Sequence, residues 1–98
     1  MRPLPLRWSK EAIGNLDSIV VHIRRDAPER ASTFRRRVAR IVERLRAFPE
    51  SGRLVPELSE QVPPPREVLV GDYRVIYRRI PGMVEIVTVV HGRRLLGP

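Results

Sequence analysis

In the stretch GDYRVIYRRIPGMVEIVTVVHGRR, Gly71 to Arg94, Arg74, Arg78 and His91 stand among alternating valines and isoleucines. Guanidinium groups contact phosphate in a planar, bidentate way, and an imidazole can carry a proton near neutral pH. Together they suit a site that handles a phosphate. They equally suit the wet side of an ordinary sheet, with Arg74 and Arg78 paired across strands to Glu67 and Glu85. Which reading holds depends on which residues share a face.

Two tight turns set the register. Residues 66–70 and 73–80 flank Gly71-Asp72, and residues 73–80 and 83–91 flank Pro81-Gly82. Pairing Val70 with Tyr73 puts Leu69 opposite Arg74 and Glu67 opposite Ile76. Pairing Ile80 with Met83 puts Arg78 opposite Glu85 and Arg74 opposite Val89. Side chains alternate faces along a strand. One face then carries Val68, Val70, Tyr73, Val75, Tyr77, Val84, Ile86, Thr88 and Val90, and is expected to meet helices. The other carries Glu67, Leu69, Arg74, Ile76, Arg78, Glu85, Val87, Val89 and His91. It gathers Arg74, Glu67 and His91 on a floor of Leu69, Ile76 and Val89, and is expected to stay free for another macromolecule. A slip of one residue would exchange the faces.

The elements that must position this hairpin lie upstream. Leu4, Leu6 and Trp8 alternate as a short edge strand, flanked by prolines. Ser9 is placed to cap a helix, with Trp8 and Ile13 as a hydrophobic staple. Ile13, Leu16, Ile19, Val20 and Ile23 have helical spacing and predict a helix over 10–25. Pro28 and Glu29 restart the pattern. Ala31, Phe34, Val38, Ile41, Val42, Leu45 and Phe48 mark one stripe of a second helix that ends at Phe48-Pro49. Residues 50–65 read as a linker pinned by Leu54, Val55 and Leu58. The expected fold is α+β in the order β-α-α-β-β-β. It is a single domain over residues 1–98, with a helical hairpin packed on one face of a small, mainly antiparallel four-stranded sheet.

Composition narrows the partners. The 98 residues carry a net charge of +8, and of the 19 Lys and Arg only Lys10 is lysine. Such a field favours polyanions or an acidic protein. On a helical wheel Arg30, Arg36, Arg37, Arg40 and Arg44 share the face beside the second helix's apolar stripe. That face could track a phosphate backbone, dock an acidic peptide, or simply be solvated. The absence of cysteine excludes disulfides and thiol chemistry. His22 and His91 are too far apart for a local metal motif, so no metal and no small-molecule cofactor are expected. No apolar run is long enough to span a bilayer, and MRPLPLRW lacks a signal-peptide core. A cytoplasmic location without membrane contact is expected.

Four segments, WSKEAIGNLDSI, PERASTFRRRVARIVERLRAFPESGRLVPEL, REVLVGDYRVIYRR and VEIVTVVHGRR, together resemble the RelE/ParE toxin superfamily. These are the toxin halves of type II toxin–antitoxin modules, also known as plasmid stabilisation proteins. The resemblance covers nearly the whole chain in the right order and implies the same succession of elements. It also implies a cognate antitoxin whose tail wraps the toxin, with Arg36, Arg37, Arg40, Arg44, Arg66, Arg74, Arg78 and Arg93 as expected contacts.

Two activities divide that superfamily. RelE-like members cut mRNA on the ribosome without metal, and the resemblance would then make Arg74, His91, Arg94 and Glu67 catalytic. Two departures speak against it. Arg66-Glu67-Val68-Leu69 stands where the nuclease has paired lysines, and Leu95-Leu96-Gly97-Pro98 holds no tyrosine. ParE-like members inhibit DNA gyrase, and their P..GR linker, YRiiY strand and HgrR strand end are matched here. The ParE-like branch is favoured. A homologue that has lost activity and acts only as a binding module is the third reading.

Overall fold

Ser9 turns the chain from strand into helix. In a computed structural model describing residues 2–97, strand β1 (Leu6–Trp8) leads directly into helix α1 (Lys10–Asp26). The Ser9 hydroxyl accepts from the Ala12 N–H at 3.0 Å as the N-cap. It also donates to the Val87 carbonyl at 2.8 Å, so the cap ties the helix to the sheet. At this turn Ala12 is buried and Ile13, expected as a staple, is about half exposed. Met1 and Pro98, which end the terminal stretches quoted above, lie outside the described residues.

Ala27 alone joins the helices. Its N–H closes α1 on the Ile23 carbonyl at 2.9 Å, and Pro28 opens helix α2 (Pro28–Arg44), where a missing N–H costs nothing. Helix α2 buries Ala31, Phe34, Val38 and Val42 along one stripe. Its regular part ends at Arg44 and the next residues turn away, so Phe48 is largely exposed rather than continuing the stripe. Neither helix is long and apolar enough to cross a membrane.

The linker then adds what its composition did not announce. Arg53–Leu54 form a two-residue strand, β2, followed by a single 3-10 turn at Pro56–Leu58. Strands β3 (Arg66–Val70), β4 (Tyr73–Ile80) and β5 (Met83–His91) complete a mixed sheet in the order β1-β5-β4-β3-β2. The expected helical hairpin on one face of the sheet is present. The sheet has five strands rather than four, because β2 pairs antiparallel with β3 at its edge. β1 runs parallel to β5. Gly71 and Gly82, at φ +57° and +75°, make the two hairpin turns that a side chain would strain. Helix-side packing joins Phe34, Val38, Val42, Leu45, Val70, Val75, Tyr77, Val84 and Ile86 in one core.

The β3–β4 register is as the turn predicts, with Leu69 opposite Arg74 and Glu67 opposite Ile76. The β4–β5 register starts as predicted, with Arg78 opposite Glu85, and then shifts. Tyr77 faces Ile86 but Ile76 faces Thr88, leaving Val87 as an extra residue. Beyond this bulge the parity of β5 reverses. Val89 enters the helix-side core, Val90 lies opposite Arg74, and His91 lies opposite Tyr73. The earlier placement of Val89 and His91 beside Arg74 is therefore corrected. The cause is polar and comes from α1. Ser9 holds the Val87 carbonyl, while the Asn15 Oδ1 accepts from the Thr88 hydroxyl at 2.8 Å and the Val89 N–H at 3.0 Å.

Asn15→Ala leaves that strand N–H without its partner. We expect it to lower unfolding stability by about 1–2 kcal/mol in urea titration, within the range for an orphaned buried donor. A change below about 0.3 kcal/mol would show that the bulge holds without it.

Candidate functional site

Alternation along β4 puts Arg74 on the sheet face away from the helices, as the pattern predicts. That face is not free. The 3-10 turn and the C-terminal arm fold across it, and the Arg74 side chain is only 5% exposed. Its Nε donates to the Glu67 Oε1 at 2.6 Å. Its Nη1 and Nη2 donate to the Glu57 Oε2 and Oε1, each at 2.8 Å, in a bidentate fork. Nη1 donates again to the Arg94 carbonyl at 2.9 Å. Four of the five guanidinium N–H groups are thus committed within the chain.

The two carboxylates extend the network. Glu67 is fully buried, and its second oxygen accepts from the Arg53 Nε at 2.5 Å. Glu57 Oε2 also accepts the Leu96 N–H at 3.1 Å. One cluster therefore fastens β2, the 3-10 turn, β3, β4 and the C-terminal arm. Hydrogen bonds from Arg74, then from the Leu96 amide, hold the Glu57 carboxyl down from 4.5 to about 2. The same fork, with Glu57 first, makes the Arg74 guanidinium still harder to deprotonate.

A second cluster anchors the start of the linker. The buried Tyr77 hydroxyl donates to the Pro49 carbonyl at 2.8 Å and accepts the Gly52 N–H at 2.9 Å. Burial raises the pKa of this phenol. A Cβ at Gly52 would come within 2.6 Å of both the Glu67 carbonyl and the Tyr77 hydroxyl. Arg66 donates to the Gly52 carbonyl at 2.8 Å. The FP-SGR and YRVIY segments thus meet in space: Tyr77 holds Pro49 and Gly52, Arg53 holds Glu67, and Glu67 holds Arg74. Glu57, Tyr77, Gly52 and Arg53 escaped sequence reasoning as site residues, although those two segments contain most of them.

Of the remaining expected catalytic residues, His91 meets Arg74 only along a shallow groove that Arg53, Leu69 and Arg93 also line. His91 stands with the helix-side aromatics, 5.5 Å from Tyr73 ring to ring, and Tyr73 is 5.3 Å from Phe34, both edge to face. The His91 Nδ1 accepts the Arg93 N–H at 3.1 Å. His91 lines an open cleft of about 590 Å³ at the hairpin tip, together with His22, Asp26, Arg30, Arg37 and Tyr73. Arg94 reaches the network only through its carbonyl. Of the expected partner contacts, Arg36, Arg37, Arg40, Arg44 and Arg93 are exposed. Arg78 is half-buried, its Nε lying 3.9 Å from Glu85, a carboxylate that Arg7 grips at 2.7 Å.

The family described as the ParE toxin of type II toxin–antitoxin system, parDE, matches residues 6–96. The candidate toxin Y4kP of Sinorhizobium fredii (strain NBRC 101917 / NGR234) is 32% identical over 90 residues, covering 91% of this chain and 88% of that protein. Among solved structures, a chain from the chromosomal ParDE toxin–antitoxin system of P. aeruginosa superposes with a TM-score of 0.74. It is 21% identical and is covered over 95% of its length by 90% of this chain, a likeness of fold.

Glu67→Gln removes the buried carboxylate between two arginines and should cost about 3 kcal/mol, as for breaking one partner of a buried pair. Urea unfolding checks this, and a loss under about 1 kcal/mol would contradict the brace. Glu57 has its pKa lowered on folding, so its contribution is complete above pH 4.5 and disappears as pH falls from 4.5 toward 2. Stability measured across that window should fall with acid in the native chain, and more shallowly in Glu57→Gln.

Proposed function

The chain belongs to the ParE toxin family of type II toxin–antitoxin systems, and from that premise we propose that it inhibits DNA gyrase in the cytoplasm and is neutralised by a cognate antitoxin. One observation carries the choice of gyrase over mRNA. Arg74, the cation a ribonuclease would aim at its phosphate, is buried, with four of its five N–H groups held by Glu57, Glu67 and the Arg94 carbonyl. His91 packs edge to face on Tyr73, its Nδ1 taken by the Arg93 N–H, and it meets Arg74 only along a shallow groove. A base, an acid and a free guanidinium around one reacting phosphate are what metal-free RNA cleavage requires. This arrangement supports instead a toxin that acts by binding a protein.

The antitoxin's contact surface follows from where apolar and cationic exposure coincide. Leu54 and Leu69 are exposed at the β2–β3 edge, and Leu95 on the C-terminal arm. Arg53, Leu69, Arg74, His91 and Arg93 line one shallow groove there. A tail of alternating acidic and apolar residues is complementary to that rim, burying leucine while its carboxylates meet arginine.

The deciding experiment adds the purified chain to gyrase, relaxed plasmid and ATP, with a translating extract run beside it. Supercoiling should stop while mRNA in the extract stays intact. Codon-positioned mRNA cuts with normal supercoiling would establish the ribosomal activity instead, and no effect in either assay would leave only a binding module. For the antitoxin, Leu69→Asp should weaken binding about tenfold or more, roughly 1.4 kcal/mol, in calorimetry with the cognate antitoxin.

A further inference from the structure

Two groups of arginines stand out. Arg7, Arg35, Arg46, Arg53, Arg74 and Arg79 each hold a carboxylate within 3.1 Å. Arg30, Arg36, Arg37, Arg40 and Arg44 hold none among the described residues, and all five are exposed on the same flank of α2. Arg36 reaches only the Ser32 and Thr33 hydroxyls. Two acids, Glu29 and Glu43, belong to the same helix, and Glu43 is taken by Arg46 at 2.7 Å. Unlike the β2–β3 edge, this flank offers no apolar anchor. No exposed large hydrophobic residue lies on α2 among the described residues. A folding peptide gains affinity from buried apolar hot spots, which this surface cannot supply. A phosphodiester backbone needs none, because counterion release drives its binding.

We propose that this flank of α2 binds duplex DNA through its phosphates, without reading sequence. From Arg30 to Arg44 the helix rises about 21 Å, with steps of about 6 Å between Arg36, Arg40 and Arg44. At 3.4 Å of axis per phosphate, that length spans about six phosphates of one strand. All the cations are arginine, whose fork suits phosphate oxygens. The surface gives the gyrase reading a second contact: the toxin would touch the DNA that gyrase holds as well as the enzyme. DNA binding and gyrase inhibition can nonetheless succeed or fail separately, because the test below contains no gyrase.

The test is fluorescence anisotropy of a labelled 25-base-pair duplex of mixed sequence, titrated with the full chain between 50 and 200 mM NaCl. Four to five phosphate contacts predict a log–log salt slope of about −3.6 to −4.5. R36Q/R37Q/R40Q/R44Q should flatten the slope to about −1, with circular dichroism unchanged. R2Q/K10Q/R24Q/R25Q removes the same charge from exposed positions elsewhere and should lose much less affinity. Equal losses in the two variants would overturn the proposal, since net charge alone would then explain binding. It would also fall if the native chain bound no duplex, or if polyglutamate bound the α2 flank in its place.

Discussion

A buried guanidinium tolerates no half-measures. Removing Arg74 from water carries a desolvation cost that only several well-aimed partners offset. The chain provides two carboxylates and a carbonyl, and each comes from a different segment. Glu67 is a near neighbour across the β3–β4 hairpin, and its fit follows from the turn. Glu57 has to be brought by the linker, and Arg94 by the C-terminal arm. Satisfying one side chain therefore fixes the path of both irregular segments. The second guanidinium, Arg53, balances the cluster at two cations and two anions. A small domain with one helix-covered face gains from this brace an ordered cover over the other. Val55 and Ile76 lie buried on that cover's side, outside the helix-side core.

The outline of this fold was legible because it rests on local rules. Ser9 as a cap, Pro28 at the first turn of α2 and the glycine turns each follow from one or two residues. The stripe from Ala31 to Leu45 follows from helical period. What sequence could not yield depended on contacts distant in the chain. The bulge at Val87 is held by Ser9 and Asn15, more than seventy residues earlier. No periodicity within β5 announces it, yet it sets His91 opposite Tyr73. Likewise, alternation correctly aims Arg74 away from the helices, but says nothing of the cover that closes over it. Prolines, glycine and polar residues dominate residues 50–65, so composition predicts only a linker pinned by Leu54, Val55 and Leu58. Tyr77 and Arg66 order its beginning through main-chain groups that no side-chain pattern reveals.

Charge is distributed by role. Arg53 and Arg74 on the sheet are matched to carboxylates and hold segments together. Arg30, Arg36, Arg37, Arg40 and Arg44 on one flank of α2 are unmatched among the described residues and repel one another, so their arrangement lowers stability unless something anionic approaches. Arg74 thus contributes architecture in this chain, and the surfaces proposed for large partners rest on other, exposed residues. Two such surfaces differ in chemistry. The β2–β3 rim combines leucine with arginine and suits a peptide, whereas the α2 flank is purely ionic.

The central claim is that Arg74 braces the toxin rather than acting on its target. Its most direct test is growth arrest per folded molecule for E57Q/E67Q/R74Q expressed without antitoxin, a change that replaces three charges with neutral amides. The account predicts that whatever fraction folds, measured by circular dichroism and soluble yield, arrests growth as the native chain does. A triple variant that folds fully and yet leaves growth untouched would contradict it.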